Sequence, residues 1–378
     1  MRKLSRQDGF TITEMMVATA VVLVVLGSVL TTFKNALAIN DSAAQMADAN
    51  QNLRAGTNTL IRDLLMAGRI IGTEGIAMPT GAGITYARPG PVNLNFDMIA
   101  DTDATLQLPS ITTGYQLGPT INGSPTDIIT IMSVDEFMPI ASTPPVVPGA
   151  PTASEATLSA DGTFITFAAT SQWIDGDTVN DTPKIKVGDL VLYVGATGNA
   201  IQSVTSIDTT QHRINFASGD AVNDFCHFNQ PNATNQLANT GRPLFALKGL
   251  PAASAWAVPV TLFKAVMITY YVDNTTTPGT PRLTRVVNHF TPQALAGVVE
   301  DLDLSYDLYD GAVNPTALTF LPQLINGVTY TDSQIRKVNI HVGVRSEALS
   351  KPLQDYVRNH ITTSVNVRSL AAVDKYPS

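Results

Sequence analysis

The sequence predicts an α+β protein: one long N-terminal helix packed on an antiparallel β-sheet, with an enlarged β-rich globular body. Three observations carry this. Met15 to Phe33 runs nineteen residues without a charge, and helical spacing of apolar residues continues beyond it to Leu64. No proline interrupts Phe10 to Ala67. The C-terminal third then alternates apolar and polar positions with a period of two, the mark of half-buried strands.

The helix comes first. Residues 10–67 read as one continuous element, and its 58 residues at about 1.5 Å each reach roughly 87 Å. Residues 10–39 are its apolar half. Met15 to Phe33 alone covers roughly 28 Å, most of a bilayer core. Ahead of it, Met1 to Gly9 carries Arg2, Lys3 and Arg6 against Asp8, which predicts a cytoplasmic N-terminus and an outward-facing body. The competing reading is a core helix, apolar all round because it is buried. A secretory leader would place its cleavage site after the apolar run, and Lys34 to Ala38 is a weak match for one. Glu14, at the head of the run, is costly in lipid unless paired, although the start of a helix tolerates an acid. Residues 40–67 are amphipathic. Ile39, Ala43, Met46, Asn50, Leu53, Thr57, Leu60 and Leu64 make one stripe, predicted to be covered by the body, with Asp41, Asp48, Arg54, Arg62 and Asp63 off it.

Residues 68–250 form a β-rich region with long loops. Gly68 to Pro91 is the exit loop, with a short strand at Ile84-Thr85-Tyr86. Strands are predicted at Asp127 to Met132 and Thr163 to Phe167, separated by a Pro-rich exposed loop over Pro139 to Ala156. Lys186 to Val194 and Ala200 to Thr205 make a hairpin turning at Gly195 to Asn199. Residues 251–378 hold the sheet region. The strand around Val266 to Val272 is apolar on both faces and therefore central. Val299 to Asp307, Val338 to Arg345 and Ile361 to Arg368 alternate, and their dry faces need a second layer, for which the helix is the cover.

Gly9-Phe10-Thr11-Ile12-Thr13-Glu14 followed by the apolar run resembles the N-terminal signal of type IV prepilins and pseudopilins, which makes the expected fold pilin-like. The resemblance implies that residues 1–9 are a leader peptide, cut after Gly9 by prepilin peptidase, with methylation of the new terminal amine on Phe10. It implies that Glu14 neutralises the terminal ammonium of a neighbouring subunit during filament packing. Burying a carboxylate and an ammonium is tolerable when the two are paired. Many major pilins carry a helix-kinking proline where this chain has Thr31. The Val187-Gly188-Asp189 run, Glu300-Asp301-Leu302-x-Leu304-x-Tyr306, Val344-Arg345-Ser346 and Val365-Asn366-Val367-Arg368 are similar to segments of the PilW-type minor pilins and of pseudopilin J. Residues 92–184 lie outside the resemblance.

Composition narrows the class. The net charge is −8, and without residues 1–9 it becomes −10, from 20 basic and 30 acidic residues, so nucleic acid is not the expected partner. Cys226 is the single cysteine, so no intrachain disulfide forms and core packing must hold the body together. Asp175, Asp177, Asn180 and Asp181 offer oxygen ligands at short spacing, a calcium candidate that lacks the EF-hand pattern; a solvated polar turn is the alternative. Asp301, Asp303 and Asp307 share one face, with Arg345 and Arg368 as candidate partners. The histidines, His212, His227, His289, His341 and His360, have no zinc spacing, and no nucleophile elbow or phosphate loop occurs. No enzymatic role and no resident cofactor are expected. Trp173 and Trp256 read as packing residues.

The expected role is a PilW-like minor pilin that primes assembly and sits at or near the tip of a type IV pilus. The alternatives are pseudopilin J of a type II secretion system, and a tip adhesin or DNA-uptake binding module. Expected partners are prepilin peptidase, the other minor pilins and the major pilin, the inner-membrane assembly platform and the lipid bilayer. The expected location is the inner membrane, single-pass with a periplasmic body, and then the filament at the cell surface.

Overall fold

The computed structural model describes residues 9–71, 75–78, 86–91, 94–96, 106–138, 156–159, 162–167, 171, 173, 184–195, 198–217, 228–229, 261–308, 316–318, 321–325, 327–350 and 354–367. One long helix, α1 (Ile12–Met66), leads into a body built on antiparallel sheets. Eight strands carry most of the architecture: β1 (Ile129–Met138), β2 (Leu190–Gly195), β3 (Gly198–Ser203), β4 (Thr261–Asp273), β5 (Arg282–Val287), β6 (Gln293–Leu308), β7 (Ile335–Ser350) and β8 (Asp355–Asn366).

These strands lie in one ten-stranded sheet whose main path runs β3-β2-β4-β5-β6-β7-β8. β4 is central, as its two apolar faces predict. β1 pairs along one edge of it, and β2 and β5 share the other. In the gap between those two, Asn288 stands in for a strand: its backbone N–H donates to Met267 O at 2.7 Å and its Oδ1 accepts from Met267 N at 2.9 Å. β6, β7 and β8 follow the predicted alternation, with Leu302, Leu304, Tyr306, Val338, Ile340, Val342 and Val344 buried on one face. A four-stranded sheet formed from Ala156–Leu158, Phe164–Phe167, Arg213–Asn215 and Ser206–Asp208 has its own core of Ile165, Phe167, Trp173, Ile214 and Phe216.

The helix is unbroken. Thr31 bonds back to Gly27 O at 2.8 Å within regular helix. It ends where Ala67 turns to ψ 139° and Gly68, at φ 71°, donates its N–H to Met132 O at 3.0 Å, passing the chain onto the sheet. Contacts along α1 follow the sheet order. Ser42 meets Ser350 at 2.7 Å, Asn50 meets Asn359 on β8, Gly56 lies against Ala296 and Leu283, and Asp63 reaches Arg285 and Tyr270. The helix therefore crosses the sheet from the β7–β8 hairpin toward β4, and its apolar half projects past that hairpin.

Several expectations need correcting. The covered stripe agrees with the prediction from Leu53 onward, but Ile39 and Met46 are 64% and 43% exposed while Ser42 and Gln45 turn toward the body. At that end only the β7–β8 hairpin lies beneath the helix, and it meets the neighbouring helical face. Asp63, assigned to the wet side, is largely covered. The strand expected from Asp127 begins at Ile129, because the Asp127 side chain is engaged with backbone N–H groups. Ala156 opens a strand, whereas 139–155 lie outside the described residues, as do Ile84 and Thr85; Tyr86 is buried beside an isolated bridge, Ala87 to Asn95. The predicted hairpin forms between β2 and β3, pairing from Gly195 and Gly198.

Candidate functional site

The head of α1 is organised by its own side chains. Thr11 caps the helix in an extended conformation (φ −77°, ψ 150°). Its Oγ1 accepts from Glu14 N at 3.3 Å, and Glu14 Oε2 accepts from Thr11 N at 3.0 Å and from Thr11 Oγ1 at 2.9 Å, a reciprocal capping box. Two N–H groups that a helix start leaves unsatisfied are thereby answered. Gly9 and Phe10 precede the cap in non-helical, exposed chain, with no atom near the position a Cβ on Gly9 would take. Gly9, Phe10 and Glu14 are thus brought within one turn at an accessible peptide bond.

Beyond the cap, no described side chain of the body covers the apolar half of the helix. Phe10 is 87% exposed, and Val17, Leu23, Val24, Leu30 and Phe33 all stand more than half exposed. Mean hydropathy over the most apolar 18 residues is 2.3 with none buried, so α1 is long and apolar enough to span a membrane. A lone helix presenting this much apolar surface needs either lipid or other helices around it.

A second polar constellation lies on the sheet face opposite α1. A cleft of about 320 Å³ is lined by Tyr115, Gln116, Asp127, Asp303, Asn339 and His341, among others. Asp127 Oδ1 accepts from Gln116 N and its Oδ2 from Leu304 N, both at 2.8 Å. Burial pushes its carboxyl up to about 6 against those two bonds, with Asp303 and Asp301 adding to the rise. Burial and Asp303 also raise Asp301. The expected pairing with arginine is corrected here. His341 faces Asp301 at 3.6 Å and Lys337 binds Asp307 at 2.9 Å, whereas Arg345 binds Glu300 at 3.0 Å and stacks on Tyr356. Arg345 lies two residues from Gly343, the strand partner of Asp301, and its guanidinium turns to Glu300 and Tyr356 instead. Arg368 is outside the described residues.

The His341 and His360 rings meet tilted at 36° with centroids 5.3 Å apart, a pairing hidden by their nineteen-residue separation. Among the described residues no group of three or more His, Cys, Asp or Glu is placed to hold a metal. The calcium candidates Asp175, Asp177, Asn180 and Asp181 lie outside the described residues, as do Cys226, His227 and Trp256. Trp173 is buried and stacks on Phe167 with centroids 6.5 Å apart.

Arg88, which no sequence pattern singles out, is 3% exposed. Its Nε donates to Thr130 Oγ1 at 2.6 Å, Nη1 to Thr113 O at 2.6 Å and Nη2 to Thr112 O at 2.8 Å. Burial lowers its pKa to about 10, and it serves as an internal tie between the exit loop and β1.

Residues 4–30 match the family model described as the prokaryotic N-terminal methylation motif. That motif is typical of type IV pilin and pseudopilin proteins, and here it heads a long helix packed on a large antiparallel sheet, consistent with the pilin fold. No curated protein and no solved structure matches the chain. The match spans residues 4–30, and the motif does not distinguish a subtype.

Proposed function

We propose that this chain is a PilW-like minor pilin: cut after Gly9, methylated on Phe10, held by α1 in the inner membrane and then incorporated at or near the tip of a type IV pilus, where it primes assembly. The observation that carries this reading is the uncovered apolar half of α1, headed by Glu14. Among the described residues the Glu14 carboxylate accepts only from Thr11, its own cap. In a bundle of such helices the new ammonium on Phe10 of a neighbour is a stronger donor, because in apolar surroundings an ion pair adds charge–charge attraction that the uncharged Thr11 donors lack. The bilayer supplies the first environment and sister helices the second. Prepilin peptidase, the major pilin, the other minor pilins and the assembly platform are the partners this reading requires. The chain acts as a structural subunit, without a catalytic role.

The size of the body and the long stretches between its strands favour a minor subunit, since both crowd a repeating lattice. Quantifying the chain in sheared filaments tests this: substoichiometric recovery is expected, and recovery equal to the principal subunit would refute it. Glu14→Ala should leave membrane insertion intact and reduce recovery in filaments. Gly9→Val should retain the leader, seen by mass spectrometry as a terminus upstream of Phe10.

A further inference from the structure

The hydrogen bond nearest the apolar half of α1 joins Ser42 to Ser350 at 2.7 Å, where β7 turns into β8. Gln354 closes that turn, donating its N–H to Ser350 O at 2.8 Å from a left-handed φ of 53°. The other described polar ties between α1 and the body follow farther along the helix, from Asn50 to Asn359 and from Asp63 to Tyr270 and Arg285. The β7–β8 turn is therefore the described end of the body that lies toward the surroundings of the apolar half.

A membrane around that half fixes how close the turn comes to lipid. The charge-free run ends at Phe33. At about 1.5 Å per residue, Ser42 stands roughly 13 Å beyond Phe33 along the axis. Ala38 is the first half-buried residue of α1 and stands about 7.5 Å beyond it. A headgroup layer is roughly 5–8 Å deep, so the covered face of α1 begins at its outer margin. A tilt of about 20° toward the sheet, ordinary for a spanning helix, lowers the turn further.

The turn carries side chains suited to that boundary. Leu349 is 54% exposed beside Ser350, and its ladder partner across the hairpin is Tyr356. The guanidinium groups of Arg345 and Arg358 lie 3.8 and 5.9 Å from the centre of the Tyr356 ring. Both bind Glu300, and Arg358 also binds Asp355, so the basic groups are balanced, while Glu347 adds an exposed acid nearby. A leucine and a tyrosine among paired charges fit the headgroup boundary, where apolar stems and amphipathic rings are favoured, without calling on anionic lipid.

We propose that before assembly the β7–β8 turn seats on the headgroup layer of the membrane that α1 spans, with Leu349 as the side chain that enters it. This rests on the membrane-anchored stage of the reading above. It gives the body two attachments to the bilayer, the helix and the turn, and so holds the sheet at a fixed tilt over the lipid. Leu324 offers the contrast. It is 68% exposed, but its hairpin, Gln323–Ile325 with Val328–Tyr330, leads into the opposite end of β7, a sixteen-residue strand away.

Fluorescence quenching by labelled lipid tests the proposal. The full-length chain, with an encoded fluorescent amino acid in place of Glu347, would be reconstituted in vesicles of phosphatidylethanolamine and phosphatidylglycerol, part of the lipid carrying a nitroxide on its headgroup. Matching samples carry the fluorophore in place of Leu324 or of Val24, the last read with the nitroxide on the acyl chain. Quenching at position 347 about threefold that at position 324, or more, is expected. Leu349→Glu should remove more than half of it while the unfolding midpoint stays within about 2 °C, since the side chain is exposed. Should that variant fail to fold, Leu349→Ser gives the same reading without an added charge. Equal quenching at 347 and 324 overturns the seat, as does quenching at 347 that a folded Leu349 variant leaves unchanged. Failure of the acyl-chain nitroxide to quench at position 24 is a separate result, and it defeats the membrane-anchored stage itself.

Discussion

Asp63 sits on the flank of the helix that residue spacing assigns to water, yet its Oδ2 accepts from Tyr270 Oη at 2.5 Å and from Arg285 Nε at 2.7 Å. With side chains only 14% and 20% exposed, the Asp63–Arg285 pair is sheltered enough that breaking it leaves a poorly solvated guanidinium. Asp63→Ala should lower stability by about 3 kcal/mol, read from urea unfolding, and a change below about 1 kcal/mol would reduce the pair to a surface contact. Asp127 behaves differently. Its folded carboxyl holds a proton up to about 6 against an ordinary 3.8, so between these values the native state binds more protons than the unfolded chain. Stability should therefore fall by about 2 kcal/mol as pH rises from about 4 to 6, then level off. In Asp127→Asn most of that slope should vanish in paired urea titrations. Neither residue was legible in the sequence, because the partners of Asp63 lie more than two hundred positions away and those of Asp127 are backbone groups.

At the scale of the element, the helix depends on close approach to the sheet. A Cβ on Gly56 would sit 3.0 Å from Ala296 Cβ and 3.2 Å from Leu283 Cδ2. Gly56→Leu should cost about 3 kcal/mol despite better helix propensity, because neither neighbour can withdraw from the core. Thermal unfolding checks this, and an unchanged midpoint would mean that α1 can slide away from the sheet at little cost. The same element shows where periodicity reaches its limit. Spacing identified the stripe from Leu53 to Leu64, where apolar residues fall on one face and the sheet lies beneath them. Toward Ile39 the spacing marks the face of Ile39, Ala43 and Met46, but the position of the β7–β8 hairpin covers the neighbouring face of Ser42 and Gln45 instead. The strands were easier to read, since alternation names both faces at once: β6, β7 and β8 bury the side that the pattern assigns to the core.

Taken as a whole molecule, the protein is a folded body with a projecting rod that contributes almost no buried surface to it. A chain beginning at Asn40 should therefore be soluble and unfold within about 3 °C of the full-length protein in detergent, because the exposed residues lost contribute little core burial. A drop of more than 10 °C would mean that the rod folds back on the body. From the sequence alone came the long helix, the acid at its start, the apolar half that needs lipid or other helices, and the face each C-terminal strand buries. These depend on local spacing and on hydrophobicity, which neighbouring residues in the chain express together. Tertiary structure alone decided the order of strands, the partners of the acidic face, and the ties at Arg88 and Asp63. Those depend on which distant segments share an edge, and a hydrogen bond between residues two hundred apart leaves no periodic trace in either.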